Sequence, residues 1–276
     1  PVGTGKTTAV MAHLLRVAID KQLRHIFVVL PYTNIIKQSV DVYRKALVFP
    51  GENPEEVVAE HHHQADFSSY DLRQHASLWT APIIVTTAVQ FFETLGANHP
   101  AQLRKLHELP GSAIFLDEAH AAIPTWLWPQ AWRWLKDLTT NWRCHFVFAS
   151  GSLPQFWQND KITSPAENVP NLLGIKQRSQ VNKQEKNRVT YSSKEEEFDV
   201  NGLLKFIQSK NGPRLVVLNT VQSAAVLAWK MRKEKYRVIH LSTALTPIDR
   251  QRIINKITRC LSNKKDVNWT LVATSC

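Results

Sequence analysis

The chain has 276 residues, of which 43% are hydrophobic, and a formal net charge of +11; these values exclude a disordered polymer and predict about two globular domains. No apolar stretch reaches the ~18 residues of a membrane span, and three cysteines at unrelated spacings (Cys144, Cys260 and Cys276) exclude a disulfide framework. We therefore expect a globular protein of the reducing cytoplasm without a membrane partner.

The last third of the chain carries most of the excess positive charge. Residues 184–276 hold 17 Lys and Arg against 8 Asp and Glu, whereas residues 1–183 hold 17 against 15. A basic segment beside a near-neutral one suits a polyanion such as DNA or RNA. Basic runs of this kind are also typical of solvated helix faces.

The segment from residue 1 to residue 8 follows the pattern of a phosphate-binding loop without its opening residue. Its two glycines allow backbone N–H groups to turn inward around phosphates, and an apolar helix follows to about residue 19. Lys6 supplies a charge for the β- and γ-phosphates, and the Thr7 hydroxyl is a ligand for Mg²⁺. The alternative for this motif alone is a Gly/Thr turn before a surface helix. The predicted nucleotide-binding residues are Gly3, Thr4, Gly5, Lys6, Thr7 and Thr8.

Buried strands that end in polar residues recur along the first half of the chain. Their apolar runs, typical of strands covered on both faces of a parallel sheet, lie at 25–30, 82–87, 113–116 and 144–149. Helices are predicted between them, at about 35–46 and 89–95. The alternation predicts a doubly wound α/β sheet, which places ligands at the carboxyl ends of its strands.

An acidic pair, Asp117 and Glu118, follows the strand at 113–116. The two carboxylates are predicted to lie where the γ-phosphate and the metal of a bound nucleotide would be, with Asp117 as a partner of Mg²⁺ and Glu118 as the base that positions water. The alternative is a cap for the next helix. Together with the phosphate loop, the pair predicts catalysis by Lys6, Asp117 and Glu118.

Three other segments carry weaker signals. Residues 49–69 read as an irregular excursion, and the histidines at 61–63 within it do not match a metal motif, since adjacent side chains do not converge readily on one ion. Tryptophans at 126, 128, 132 and 134 indicate a helix that packs on the sheet, with base stacking as the alternative. Residues 155–193 read as a linker that includes a possible edge strand at 188–191.

A second alternating series follows the linker. Helices are predicted at 200–210 and 223–233 and from Pro247 onward, and strands are predicted at 215–218, 238–241 and 270–273. The strands again end in small polar residues, and we place the domain boundary near residue 184.

The order of these elements resembles superfamily 2 helicases, which have two tandem RecA-like domains. The phosphate loop resembles motif I, Asp-Glu-Ala-His at 117–120 a DEAH-type motif II, and residues 150–152 motif III. More narrowly, Tyr-Thr-Asn-Ile-Ile at 32–36 and His-Leu-Ser-Thr at 240–243 are similar to the helicase part of the type I CRISPR-associated helicase-nuclease. The resemblance runs nearly end to end.

This resemblance implies an α/β fold with two tandem RecA-like P-loop domains and mainly parallel sheets: a first ATP-binding domain with linker at 1–183 and an incomplete second domain at 184–276. It implies an ATP-dependent DNA helicase of CRISPR antiviral defence with ATP and Mg²⁺ as cofactors. The partners implied are single-stranded DNA and a crRNA-guided surveillance complex, and the protein is expected to be a monomer.

Polar residues at strand ends, together with one arginine, form the predicted single-stranded DNA site, because short polar groups suit sequence-independent contacts to phosphates and sugars. These residues are Thr33, Asn34, Thr86, Thr87, Asn219, Thr220, Ser242, Thr243 and Arg250. The resemblance implies that Ser150 and Ser152 of motif III couple ATP hydrolysis to movement of the DNA strand.

The chain departs from the family pattern in three respects. Motif III reads Ser-Gly-Ser where Ser-Ala-Thr is usual, and the sequence stops inside motif V, before the arginine of motif VI. The family's nuclease domain lies outside these residues. We therefore expect this stretch alone to bind nucleotide but to hydrolyse little of it, since an arginine finger contributes on the order of 10³–10⁵ in rate.

Two rival functions stay open. One is a different DEAH-type helicase acting on RNA or on DNA-repair intermediates. The other is a P-loop nucleotide switch without a nucleic-acid partner, against which the second RecA-like unit argues, because a lone P-loop domain needs no such repeat.

Overall fold

The computed structural model describes residues 5–32, 35–61, 78–118, 121, 123–150, 155–195, 197–263 and 268–274. The chain divides into two compact units, Pro1–Thr190 and Tyr191–Cys276. The boundary predicted near residue 184 lies inside the last helix of the first unit. Among the described residues, no helix has the length and apolar character needed to span a lipid bilayer.

Five parallel strands form the sheet of the first unit, in the spatial order β2-β3-β1-β4-β5. The strands β1 and β3 are buried along their whole length, as expected for near-continuous apolar runs covered on both faces. The strands are β1 (His25–Leu30), β2 (Val58–His61), β3 (Ile83–Thr87), β4 (Ser112–Asp117) and β5 (His145–Ala149).

Helices cover both faces of this sheet. The described α-helices of the unit are α1 (Lys6–Lys21), α2 (Ile36–Leu47), α3 (Pro54–Val57), α4 (Ala88–Leu95), α5 (Pro100–Leu103), α6 (Trp128–Thr140) and α7 (Ile175–Arg188). Apolar side chains of α1 and α2 pack on one face of the sheet, whereas those of α4 and α6 pack on the other. Each fully buried Phe, Ile or Leu contributes about 1.5–3 kcal/mol, so these two layers hold the sheet in place.

The register of the sheet brings the carboxyl ends of its strands to one edge. Leu30 at the end of β1 pairs with Thr87 of β3, and Asp117 at the end of β4 pairs with Ala149 of β5. Since all five strands are parallel, the residues that follow them lie along this edge, where a doubly wound sheet binds its ligands.

The second unit has a sheet of three parallel strands in the order β6-β8-β7. Its elements are α8 (Val200–Gln208), β6 (Arg214–Leu218), α9 (Val221–Lys233), β7 (Val238–Leu241), α10 (Pro247–Ser262) and β8 (Thr270–Thr274). Asp199, Thr220 and Thr246 cap the three helices by accepting a hydrogen bond from a backbone N–H of the first turn.

Three sequence-based predictions differ from the structure. Within the predicted excursion at 49–69, Val58–His61 form strand β2, which pairs with β3 and accepts hydrogen bonds from Arg44 of α2 at the Val58 carbonyl oxygen. The polar run predicted as a linker contains a regular helix, α7, which has no apolar face from which it could be recognised. No strand forms at 188–191, where α7 ends and an irregular segment follows.

The tryptophan-rich helix packs mainly as predicted. Trp128 and Trp132 are buried, and their rings contact Phe156 in the core on the α6 side of the sheet. Trp134 is partly buried against the same core, whereas Trp126 is 77% exposed. Packing in the core therefore accounts for the positions of three of the four tryptophan rings.

Candidate functional site

The ammonium group of Lys6 joins the start of α1 to the end of β4. Its Nζ donates to Asp117 Oδ1 at 2.6 Å and to Glu118 Oε1 at 3.2 Å. These groups are 111 and 112 residues apart in sequence, and all three side chains are partly buried. The structure therefore brings together the three residues predicted to be catalytic.

The backbone at Gly5 is suited to a phosphate loop. Gly5 precedes α1 with φ 73° and ψ 23°, the left-handed region that side chains with a Cβ adopt only with strain. Its carbonyl accepts the first helical hydrogen bond, from Ala9 N at 3.0 Å. The loop thus turns directly into the N-terminus of α1, where the helix dipole favours an anion. Predicted residues Gly3 and Thr4 lie outside the described residues, and Thr8 is exposed in the first turn.

Glu118 has an unusual backbone conformation that its neighbours hold in place. Its φ is +48°, a value that costs a residue with a side chain about 1–3 kcal/mol. Its N–H lies 2.8 Å from the carbonyl oxygen of Ala149 and 3.0 Å from Asp117 Oδ1. Ser150 Oγ donates to Glu118 Oε2 at 2.5 Å. Such strain held by hydrogen bonds is typical of functional sites.

Ser150, predicted from motif III to couple hydrolysis to movement, thus contacts one of the predicted catalytic carboxylates. Its predicted partner in that role, Ser152, lies outside the described residues. The role of both serines stays a prediction.

Burial and the neighbouring carboxylates shift the pKa values of two groups, Lys6 and Tyr43. Burial lowers the pKa of Lys6, but hydrogen bonds and charge from Asp117 and Glu118 outweigh it, so the pKa lies above its ordinary value. Burial, with a smaller contribution from the negative charge of Asp117, raises the pKa of Tyr43 on α2 well above its usual range. Lys6 is therefore charged and the Tyr43 hydroxyl is protonated at neutral pH.

The ligand types at this site fit a hard divalent cation. Thr7 follows Lys6 in the first turn of α1 and offers a hydroxyl oxygen, while Asp117 offers a carboxylate; Mg²⁺ prefers such oxygens. Among the described residues, no three His, Cys, Asp or Glu side chains are grouped for a metal. His61 instead accepts a hydrogen bond from Trp79 Nε1 at its Nδ1, and His62 and His63 lie outside the described residues.

In the first unit, two of the residues predicted to bind single-stranded DNA make hydrogen bonds within the fold through their hydroxyls. Thr86 is fully buried, and its Oγ1 donates to the carbonyl oxygen of His61 on β2 at 2.9 Å. Thr87 is 5% exposed and caps α4 by accepting from Gln90 N at 3.1 Å. Neither hydroxyl is therefore accessible to a DNA strand in this structure. Thr33 and Asn34 lie outside the described residues.

The residues of the second unit that are predicted to bind single-stranded DNA lie mostly at its surface. Asn219 and Thr220 follow β6 and are exposed, and Thr243 follows β7 and is exposed. Arg250 Nη2 donates to the carbonyl oxygens of Thr243 and Leu245 at 3.3 and 3.4 Å and so supports the loop after β7. Ser242 is 1% exposed, and among the described residues its hydroxyl has no hydrogen-bond partner.

Sequence reasoning missed two features of the site. Tyr43 is on α2, and only its place in a helical apolar pattern marks it, so the sequence carries no sign that it lies near Asp117. The positive φ of Glu118 also has no sequence signal, since glutamate does not favour that region.

A cleft of about 820 Å³ lies away from this cluster, beside β5 and the ends of α1 and α6. Phe148, Trp132, Lys136 and Glu167 are among its lining residues, and none of the predicted site residues lines it. This cleft is therefore separate from the predicted nucleotide site.

Comparisons with known proteins agree with the geometry. The family model described as "DEAD/DEAH box helicase" matches residues 1–159. A curated relative, the CRISPR-associated nuclease/helicase Cas3 of Haloferax volcanii, is 26% identical over 185 residues, which cover 59% of this chain and 20% of the relative.

Solved structures show the same fold. The chain matches T. fusca Cas3 with a TM-score of 0.69 and 17% identity, covering 99% of this chain and 37% of that one. It matches S. cerevisiae Dbp5 bound to RNA and ADP BeF3 with a TM-score of 0.56 and 18% identity, covering 99% of this chain and 63% of that one. The predicted RecA-like α/β fold is confirmed. The chain spans about a fifth of the length of the curated relative.

Proposed function

The chain belongs to the DEAD/DEAH box helicase family, and we propose that it is the motor part of an ATP-dependent DNA helicase of CRISPR antiviral defence. The observation that carries this proposal is the cluster of Lys6, Asp117 and Glu118 at the N-terminus of α1. The narrower assignment to CRISPR defence rests on the likeness to Cas3 of Haloferax volcanii.

The site has residues for three parts of nucleoside triphosphate hydrolysis: phosphate binding, metal binding and activation of water. The backbone N–H groups at the start of α1 face the phosphates, and Lys6 moves from its carboxylates toward the phosphate oxygens. Thr7 and Asp117 would hold Mg²⁺, which neutralises charge on the phosphates when bound. Glu118 accepts the proton of the attacking water or orients that water.

The DNA contacts proposed for the chain are fewer than the sequence predicted. Asn219, Thr220 and Thr243 are kept because they lie exposed after strands of the second unit. Arg250 is kept because it is partly exposed in the first turn of α10 and contacts the loop after β7. Thr86 and Thr87 are left out because their hydroxyls are buried and bonded within the fold. We place the protein in the cytoplasm as a monomer that a crRNA-guided surveillance complex recruits to DNA.

The test is ATP hydrolysis by the full-length protein with Mg²⁺, measured with single-stranded DNA, with single-stranded RNA of the same sequence and without nucleic acid. We expect DNA to stimulate turnover and Glu118→Gln to abolish it while ATP affinity is kept. Glu60→Gln, outside the site, is a matched control.

The outcomes separate the candidate functions. Stimulation by RNA alone would favour a different DEAH-type helicase. Turnover that no nucleic acid changes would favour a nucleotide switch. Wild-type turnover in Glu118→Gln would remove Glu118 from the catalytic site.

A further inference from the structure

The helix α7 (Ile175–Arg188) has no buried face over residues 175–184, whose side chains the structure describes. Each side chain from 175 to 184 is exposed except that of Val181, which is partly buried. A helix of a folded domain ordinarily buries an apolar stripe, and one that is polar all round does not owe its place to packing. The side chains at 175–180 and 182–184 are therefore accessible to another molecule.

The charge of this helix is strongly positive. Its 14 residues include five basic residues and one acidic residue: Lys176, Arg178, Lys183, Lys186 and Arg188, against Glu185. Among the ion pairs between described residues, none involves Lys176, Arg178 or Lys183. When such cations bind a nucleic acid, they release counterions condensed on its phosphates, and this release favours binding.

Two of the lysines share one side of the helix. Lys176, Gln180 and Lys183 are spaced i, i+4, i+7 and so lie on the same face, which we term the lysine face. The face extends over about 10 Å along the axis, at 1.5 Å per residue. All three side chains are exposed, and none is acidic or apolar. A nucleic-acid strand carries one charge per nucleotide, so two phosphates can face the two ammonium groups.

We propose that the lysine face of α7 contacts the phosphates of the single-stranded DNA on which the motor acts; this inference rests on the proposed function. A protein partner fits less well, because protein interfaces are depleted in lysine and depend on aromatic, arginine or apolar anchors, which this face does not have. Phosphates need no such anchor. The Gln180 amide adds a donor for phosphate or sugar oxygens.

The test is the affinity of the full chain for fluorescent single-stranded DNA, measured by anisotropy over a series of salt concentrations. Lys176→Gln/Lys183→Gln removes both charges and keeps a good helix former at each position. We expect affinity to fall about tenfold near 0.1 M salt and the salt slope to flatten by about 1.4, at 0.7 per lost phosphate contact. Lys176→Arg/Lys183→Arg should keep the wild-type slope.

A charge-matched control is Arg133→Gln/Lys161→Gln, which removes two exposed cations of the same unit outside α7. It should leave the slope near wild type. Equal slopes for wild type and Lys176→Gln/Lys183→Gln would overturn the inference and leave the proposed function standing. Lack of DNA binding by the wild type would overturn both. Circular dichroism checks that each variant keeps its helix content.

Discussion

Ser150 Oγ donates a 2.5 Å hydrogen bond to Glu118 Oε2, which joins the residue after β5 to the residue after β4. A neutral donor on a carboxylate fixes the carboxylate's orientation without adding charge. Glu118 Oε1 faces Lys6 at the same time, so the two oxygens of one catalytic candidate are held by different elements. A shift of Ser150 would therefore move the carboxylate directly.

We expect Ser150→Ala to lower the turnover of ATP by about tenfold and to leave ATP affinity unchanged. The reason is that a hydrogen bond to a charged group is worth about 1.5–3 kcal/mol, and here it orients Glu118 rather than the nucleotide. Steady-state hydrolysis and equilibrium binding of a non-hydrolysable analogue separate the two effects. Ser150→Thr keeps the hydroxyl and serves as the control. Equal turnover in wild type and Ser150→Ala would show that the bond does not position Glu118.

Lys6→Ala should weaken ATP binding by about 100-fold, because charge-assisted bonds to phosphate oxygens are lost. Folding stability should change by less than about 1 kcal/mol, since the Lys6 ion pairs are partly exposed. Arg16→Ala, an exposed change on the same helix, is the control. Titration with a fluorescent nucleotide and chemical denaturation measure the two quantities. Wild-type affinity in Lys6→Ala would place the phosphates elsewhere.

Much of this site follows from the sequence, because its parts are local signals. The loop at Lys6 is recognised by glycine spacing, and Asp117 and Glu118 by their position after an apolar run. The contact between them comes from the parallel sheet, which brings the ends of distant strands to one edge. Strand-end position alone does not reveal that Thr86 is buried. Its hydroxyl is used by β2, a strand that the sequence did not predict.

The double variant Thr86→Val/Thr87→Val should lower stability by about 2 kcal/mol without changing affinity for single-stranded DNA. It removes the bond to the carbonyl oxygen of His61 and the cap of α4, each worth about 1 kcal/mol. Asn219→Ala/Thr243→Ala, at exposed positions, should lower affinity for single-stranded DNA without changing stability. Denaturation midpoints and anisotropy titrations test both. If Thr86→Val/Thr87→Val lost DNA affinity while its fold stayed intact, the two threonines would be assigned to the DNA-binding site.

Glu108→Gln should destabilise the protein by about 3 kcal/mol. Glu108 is buried, and its carboxylate lies 2.6 Å from Arg24 Nη2, 3.0 Å from His25 Nε2 and 2.9 Å from His107 Nε2. Removal of the charge takes the anion away from the buried His25 ring, and the loss of a buried partner is costly. Arg24 and His107 are more than half exposed, so water can solvate them. Asp41→Asn on the exposed side of α2 is the control. The free energy of unfolding in urea measures the effect, and a change below about 0.5 kcal/mol, the range of ordinary surface substitutions, would contradict it.

Stability should also fall in acid through Glu167. The hydrogen bond from Lys136 Nζ at 2.7 Å is the largest cause that lowers the pKa of Glu167 below its usual 4.5, with a further contribution from the Trp132 N–H. A lowered folded pKa gives stability that is present above the unfolded pKa and is lost as pH falls through the folded pKa. Denaturation midpoints measured from pH 6 to pH 3 should therefore fall less in Glu167→Gln than in wild type. Glu197→Gln, which removes an exposed carboxylate of the second unit, should follow the wild type. Identical pH profiles for wild type and Glu167→Gln would show that the bond to Lys136 adds no pH-dependent stability.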